Sequence, residues 1–145
     1  MIDTSLETLL QKDGYIITPI KGMSMHPFLK EGRDKVVIKK IENKIKKGDV
    51  LLYLRPNGTY VLHRVYALNQ KFLEMCGDNQ TIIERGVKYS AVLGVLTGVY
   101  RNDKYVYLKK SCRYKFYKIF WGNNRSFRLF IYKLKQFAKK ILKKA

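Results

Sequence analysis

The chain has 145 residues and a formal net charge of +19, with 46% hydrophobic and 28% charged side chains. That length holds one domain with a modest core and a short appendage, and the composition excludes a disordered chain. The two cysteines, Cys76 and Cys112, exclude a disulfide framework and stand in no metal-ligand spacing, so a reducing compartment is expected, with no structural metal and no cofactor.

No stretch approaches the roughly 18 to 20 uncharged apolar residues needed to cross a bilayer, and the start, Met1-Ile2-Asp3-Thr4-Ser5-Leu6-Glu7, bears acids. Neither a signal peptide nor a transmembrane anchor is expected, and the location implied is cytoplasmic or peripheral at the membrane. The charge is unevenly spread. Residues 1–103 carry 16 basic and 11 acidic side chains, whereas residues 104–145 carry 14 basic and none acidic.

The predicted organisation has an N-terminal helix in 1–14, a mainly β, mostly antiparallel domain over 15–110 and a basic, aromatic helical tail over 111–145. Thr4-Ser5 before Glu7, with Leu6, Leu9 and Leu10 as an apolar face and Asp13-Gly14 as a stop, predicts a short capped helix. Strand-like runs follow at Tyr15–Thr18, Lys35–Lys39, Asp49–Leu54, Tyr60–Tyr66, Lys71–Cys76, Ala91–Tyr100 and Lys104–Leu108. The intervening segments carry turn residues, and Asn57-Gly58 suits a tight hairpin. Asp34 and Asp49 are read as turn-capping acids.

Beyond residue 110, Tyr114, Phe116, Tyr117, Phe120 and Trp121 interleave with Arg113, Lys115 and Lys118. From Ser126, Phe127, Phe130, Ile131, Leu134, Phe137, Ala138, Ile141 and Leu142 recur at three and four, while Lys133, Lys135, Lys139 and Lys140 fall on other sides. This is a basic amphipathic helix. It suits either an anionic membrane surface or an apolar face packed on the β domain.

Two segments carry candidate chemistry. Gly22-Met23-Ser24-Met25-His26-Pro27 offers a serine hydroxyl in a turn-like segment, and Val61-Leu62-His63-Arg64-Val65 offers a histidine in a strand. A serine becomes a nucleophile when a base takes its proton and backbone N–H groups stabilise the oxyanion. Gly22 permits close approach of a substrate, and Pro27 stiffens the exit. Histidine, with an ordinary pKa near 6.5, is neutral at pH 7 and able to accept that proton. His26 is a competing base two residues from Ser24, and a minor or substrate-facing role is expected for it. Arg64 is expected to point away from His63 across the strand.

Six boxes stand in order: Gly22–Leu29, Glu31–Ile38, Lys46–Leu51, Val61–Val65, Gly77-Asp78-Asn79 and Leu93–Leu96. Together, over Tyr15 to about Val99, they resemble the serine peptidase superfamily that joins type I signal peptidases with the self-cleaving domains of LexA-type repressors. The resemblance implies a compact antiparallel β fold, Ser24 as nucleophile and His63 as base, as in the endoplasmic-reticulum and archaeal variety. It also implies a role for Asp78 as orienting acid and for Glu84, where the pattern has aspartate. Gly22, Met23, Met25 and Pro27 are the implied oxyanion and substrate-binding positions.

The chain departs from that pattern in three respects. Position 22 is glycine where signal peptidases often carry a hydroxyl residue, no membrane-spanning segment is present, and the residues before Tyr15 are too few for a helix-turn-helix module. The expected function is a serine endopeptidase of signal-peptidase type acting on a leader or precursor peptide. The alternatives are a peptide-binding or membrane-surface module that has lost turnover, and nucleic-acid binding through the tail. Nucleic acid ranks lowest because the tail's apolar residues form a helix stripe rather than scattered stacking rings.

Overall fold

In the computed structural model, residues 5–144 are described. Thr4 and the rest of segment 1–4 of the predicted N-terminal helix lie outside them, as does Ala145. Helix α1 spans Leu6–Asp13; the Ser5 hydroxyl accepts the Thr8 N–H at its start, and Gly14, at φ 76°, closes it by donating to the Leu10 carbonyl. Its buried Leu10, with Leu6 and Leu9, packs against the sheet.

Eight strands follow among the described residues: β1 (Tyr15–Pro19), β2 (Asp34–Lys39), β3 (Val50–Leu54), β4 (Tyr60–Leu68), β5 (Phe72–Cys76), β6 (Glu84–Lys88), β7 (Val92–Arg101) and β8 (Lys104–Tyr107). All their pairings are antiparallel, in the order β1-β2-β7-β3-β4-β5-β6, with β8 also on β7. The expected mainly β, mostly antiparallel fold with a helix near each end is therefore what forms. Asn57-Gly58 makes the expected hairpin, with Arg55 and Thr59 closing it through a 2.9 Å backbone bond.

Strand β6 was not predicted, because Glu84-Arg85-Gly86-Val87-Lys88 holds one apolar residue and shows no alternation. It forms by pairing with β5, which buries Val87. The aromatic segment after residue 110 likewise folds into helix α2 (Cys112–Tyr117), followed by one wide turn over Lys118–Gly122, and helix α3 then spans Arg125–Lys144.

Side chains alternate across the strands and feed two apolar clusters. One holds Met25, Phe28, Leu29, Ile38, Val50, Leu52, Leu62 and Val99, with Tyr114 and Tyr117 of α2 against it. The other holds Leu51, Tyr53, Val65, Leu73, Met75 and Val87. Each fully buried aliphatic side chain contributes about 1.5–3 kcal/mol. Five polar side chains are exceptions among the described residues. Asp34, His63, Arg64, Asp78 and Arg128 are all buried. Asp34 caps the turn before β2 by accepting the Lys30 N–H and also pairs with Arg33 and Arg101. Burial alone would raise its pKa, but the Arg33 and Arg101 hydrogen bonds hold it below the ordinary value.

The tail expected as one unit divides. Residues 112–122 pack on the sheet, whereas α3 meets the domain only near its start, through Arg125, Arg128 and Tyr132. Its apolar residues Phe127, Phe130, Leu134, Phe137, Ile141 and Leu142 are exposed, so the apolar face does not pack on the β domain.

Candidate active site

Strand β4 places His63. Leu51 of β3 stands opposite His63 in the ladder, and Tyr53, two residues further along β3, shares that face. His63 is 4% exposed, and its Nδ1 lies 3.4 Å from the Tyr53 hydroxyl, which itself donates to Glu84 Oε2 at 2.7 Å. A phenol has one proton. With that proton committed to Glu84, the Tyr53 oxygen can only accept, which assigns the imidazole proton to Nδ1 and leaves the Nε2 lone pair free.

Glu84 is held in turn by Arg55, whose Nη2 and Nε lie 2.6 and 2.9 Å from its two oxygens. The Arg55 hydrogen bond keeps the Glu84 carboxyl below its ordinary pKa, so it remains an acceptor at neutral pH. Burial, with the Glu84 hydrogen bond, pushes the Tyr53 phenol up. Burial and then the positive field of Arg55 push His63 down to about 4, while Glu84 and Asp78 act in the opposite sense. The imidazole is neutral at pH 7, the form a general base requires. Tyr53 and Arg55 were not singled out from the sequence; the only signal was the period-two alternation that puts Leu51 and Tyr53 on the His63 face.

Ser24 lies in a turn, not in an extended segment: the His26 N–H bonds back to the Met23 carbonyl at 3.1 Å. The half-buried Ser24 is fixed through its backbone, its carbonyl accepting the Asn79 N–H at 2.8 Å. That carbonyl also rests on Gly77, where a Cβ would come within 2.6 Å of it. In the β4–β5 ladder Arg64 stands opposite Cys76, so His63 and Gly77 are the next residues along each strand. The turn bearing Ser24 is thereby brought to the end of β5. Ser24 Oγ makes no hydrogen bond to His63 or to any other described residue, and the Ser24 N–H has no acceptor among them.

Asp78 does not orient His63. Its carboxylate takes Arg64 Nε at 2.8 Å and Nη2 at 2.7 Å, and it also accepts the Tyr117 hydroxyl at 3.0 Å. The cause is strand alternation: Arg64 and His63 leave opposite faces of β4, and Asp78 lies on the Arg64 face. Burial lowers the Arg64 pKa and Asp78 raises it, with Asp78 prevailing, so the guanidinium stays charged. Tyr114 accepts from Arg64, the Trp121 indole donates to the Asp78 carbonyl, and Gly122 lies over the Arg64 side chain, where a Cβ would come within 2.7 Å of Nε. The aromatic segment 112–122 is the cover of this buried ion pair.

The implied substrate positions separate. Met23, 64% exposed, stands free beside Ser24. Met25, 1% exposed, is a core residue and not a substrate contact, because its side chain fills the cluster with Phe28 and Leu29. Pro27 lines a groove of about 460 Å³ with Phe28, Arg101, Leu108 and Tyr114, near the aromatic cover of the ion pair and apart from His63. Gly22 has φ 79°, a conformation that a hydroxyl residue adopts only under strain, and its N–H donates to Glu31 at 2.9 Å, so it is not available to an oxyanion. Lys133, Lys135, Lys139 and Lys140 are exposed along α3.

A cavity of about 840 Å³ is lined by residues that include Tyr53, Arg55, Glu84, Leu10 and Leu93. Neither Ser24 nor His63 lines it. A second, about 420 Å³, lies between Asn79, Gln80, Ile82, Glu84 and Tyr132, directly beside the loop that holds Ser24. Among the described residues no helix is long and apolar enough to cross a membrane. Comparison of the chain with protein-family models, with curated proteins and with solved structures found no match in any of the three.

Proposed function

We propose that the protein is a serine endopeptidase of signal-peptidase type that cuts a leader or precursor peptide on the cytoplasmic side. The observation that carries this reading is the hydrogen-bond series Arg55, Glu84, Tyr53, His63, which leaves a buried, neutral histidine with Nε2 free, while the Ser24 turn is held against Gly77, one residue beyond β5. His63 Nε2 takes the Ser24 proton as Oγ attacks the scissile carbonyl. The same proton then passes to the leaving amine; a water, deprotonated by His63, attacks the acyl carbon, and His63 returns that proton to Ser24 Oγ as the acyl–oxygen bond breaks. The unengaged Ser24 N–H supplies oxyanion stabilisation. Glu84, acting through Tyr53, steadies the imidazolium formed in each step. Small residues before the scissile bond are expected from the family resemblance.

Closing the dyad requires Ser24 Oγ to reach Nε2 when substrate is bound, as catalytic hydrogen bonds often tighten only then. The test is cleavage profiling on a peptide library read by mass spectrometry, with wild type, Ser24→Ala and His63→Ala in parallel. Cuts made by the wild type and lost in both variants support the dyad. Cuts that persist in either variant exclude it, and peptide binding without any cut assigns the fold to a binding module.

A further inference from the structure

The apolar stripe of α3 faces away from the domain. At 100° per residue, Phe127, Phe130, Ile131, Leu134, Phe137, Ala138, Ile141 and Leu142 fall within roughly 140° of the helix circumference. Arg125, Arg128 and Tyr132, which meet the domain, lie outside that sector. The stripe runs from residue 127 to 142, about 24 Å of helix axis. It is bordered by Lys135 on one side and Lys133 on the other, with Lys139 and Lys140 behind. Nearer the domain, Phe116, Ile119 and Phe120 are also exposed, Phe116 and Phe120 with ring centroids 4.2 Å apart, and Trp121 meets Phe127 edge-on.

We infer that segment 112–144 is an interfacial arm whose apolar stripe lies in the headgroup boundary of an anionic bilayer. The charge pattern selects this occupant. An apolar groove on a protein partner would need acidic walls along both borders of the stripe, whereas a plane of anionic headgroups meets both rows of lysines at once. A nucleic acid would engage the lysines but leave Leu134, Ile141 and Leu142 in water.

The arm does not hang free of the site. Tyr117 and Trp121 hold Asp78, Arg128 donates to the Gly77 carbonyl at 2.8 Å, and Arg125 donates to the Thr81 carbonyl at 2.8 Å. The same loop holds the Ser24 carbonyl through Asn79. An arm seated on lipid carries that loop with it.

The full chain is to be sedimented with phosphatidylcholine vesicles and with vesicles that also contain phosphatidylglycerol. The expected result is binding to the anionic vesicles at least roughly tenfold tighter than to the neutral ones, weakening as salt is raised. It is lost in Phe130→Glu/Phe137→Glu, whose altered side chains are exposed, with the circular-dichroism spectrum unchanged. Ser24→Ala binds as the wild type does, so failure of the peptidase reading leaves this result intact. Absent or equal binding to the two vesicle types overturns the inference. So does salt-steep binding to single-stranded DNA in place of vesicles, or a doubled mass in solution that the same double substitution abolishes while no vesicles are bound.

Discussion

His63 and Arg64 are adjacent in β4 and serve opposite faces of the sheet. His63 meets Tyr53, and Arg64 forms a fully buried ion pair with Asp78. Position 78 is therefore a matter of stability. Asp78→Ala is expected to cost about 3–5 kcal/mol, because it strands a buried guanidinium. Urea unfolding of this variant beside Ser24→Ala, which should unfold as the wild type does, checks it. An Asp78 variant of native stability would contradict the assignment.

The His63 pKa sets two pH dependences. The free histidine titrates near 6.5 and the folded one near 4, so between those values the unfolded chain binds a proton that the native protein excludes. Stability is full above about pH 6.5 and falls as pH drops towards 4, by about 3 kcal/mol in all. Thermal melts of the wild type and His63→Gln across that range separate this loss from the titration of carboxylates. In kcat/KM the acid limb is expected near pH 4 rather than 6.5, and Arg55→Gln, which removes the opposing charge, should move it upward.

In the proposed peptidase, Tyr53 and Glu84 act through His63 as positioning residues. Tyr53→Phe keeps the ring in its cluster and removes the oxygen that accepts the Nδ1 proton. A loss in kcat of roughly ten- to hundredfold is expected, the scale at which outer hydrogen-bond partners act, with KM little changed. Nitrogen NMR of the imidazole supplies the readout that a packing role would not move: the wild type holds the Nδ1–H tautomer, and Tyr53→Phe and Glu84→Gln lose that bias.

Gly77 tests how Ser24 is held. A methyl group there would lie 2.6 Å from the Ser24 carbonyl, a backbone atom with no rotamer to yield. Gly77→Ala should displace the Ser24 turn and lower kcat/KM by about a hundredfold, the scale of a misplacement of about 1 Å. Gly58→Ala, at a hairpin tip with open space around it but φ 81°, should cost about 1 kcal/mol of stability and leave kcat/KM unchanged.

The strands with apolar alternation were readable from the sequence, and so were the cap at Ser5, the Asn57-Gly58 hairpin and the amphipathic pattern of α3. β6 was not, since a strand held by its neighbour needs little apolar signal of its own. In the site, Ser24 and His63 are named by the order of six boxes and the family resemblance rather than by local pattern, and no hydrogen bond joins them among the described residues. Asp78 was misassigned and Tyr53 missed for one reason: which face of the sheet an acid reaches depends on strand register, and register is not printed in the sequence. Glu84, 21 residues after His63, joins it only because β6 exists.

The covered ion pair also fixes how far the chain can be trimmed. Tyr114, Tyr117, Trp121 and Gly122 form one wall of the Arg64–Asp78 pocket. A fragment ending where the sheet ends, near residue 110, would open a salt bridge built for a dry environment to water and loosen the loop that braces Ser24. The smallest unit that folds as this sheet does is therefore longer than its strands, and extends at least through the turn at Gly122.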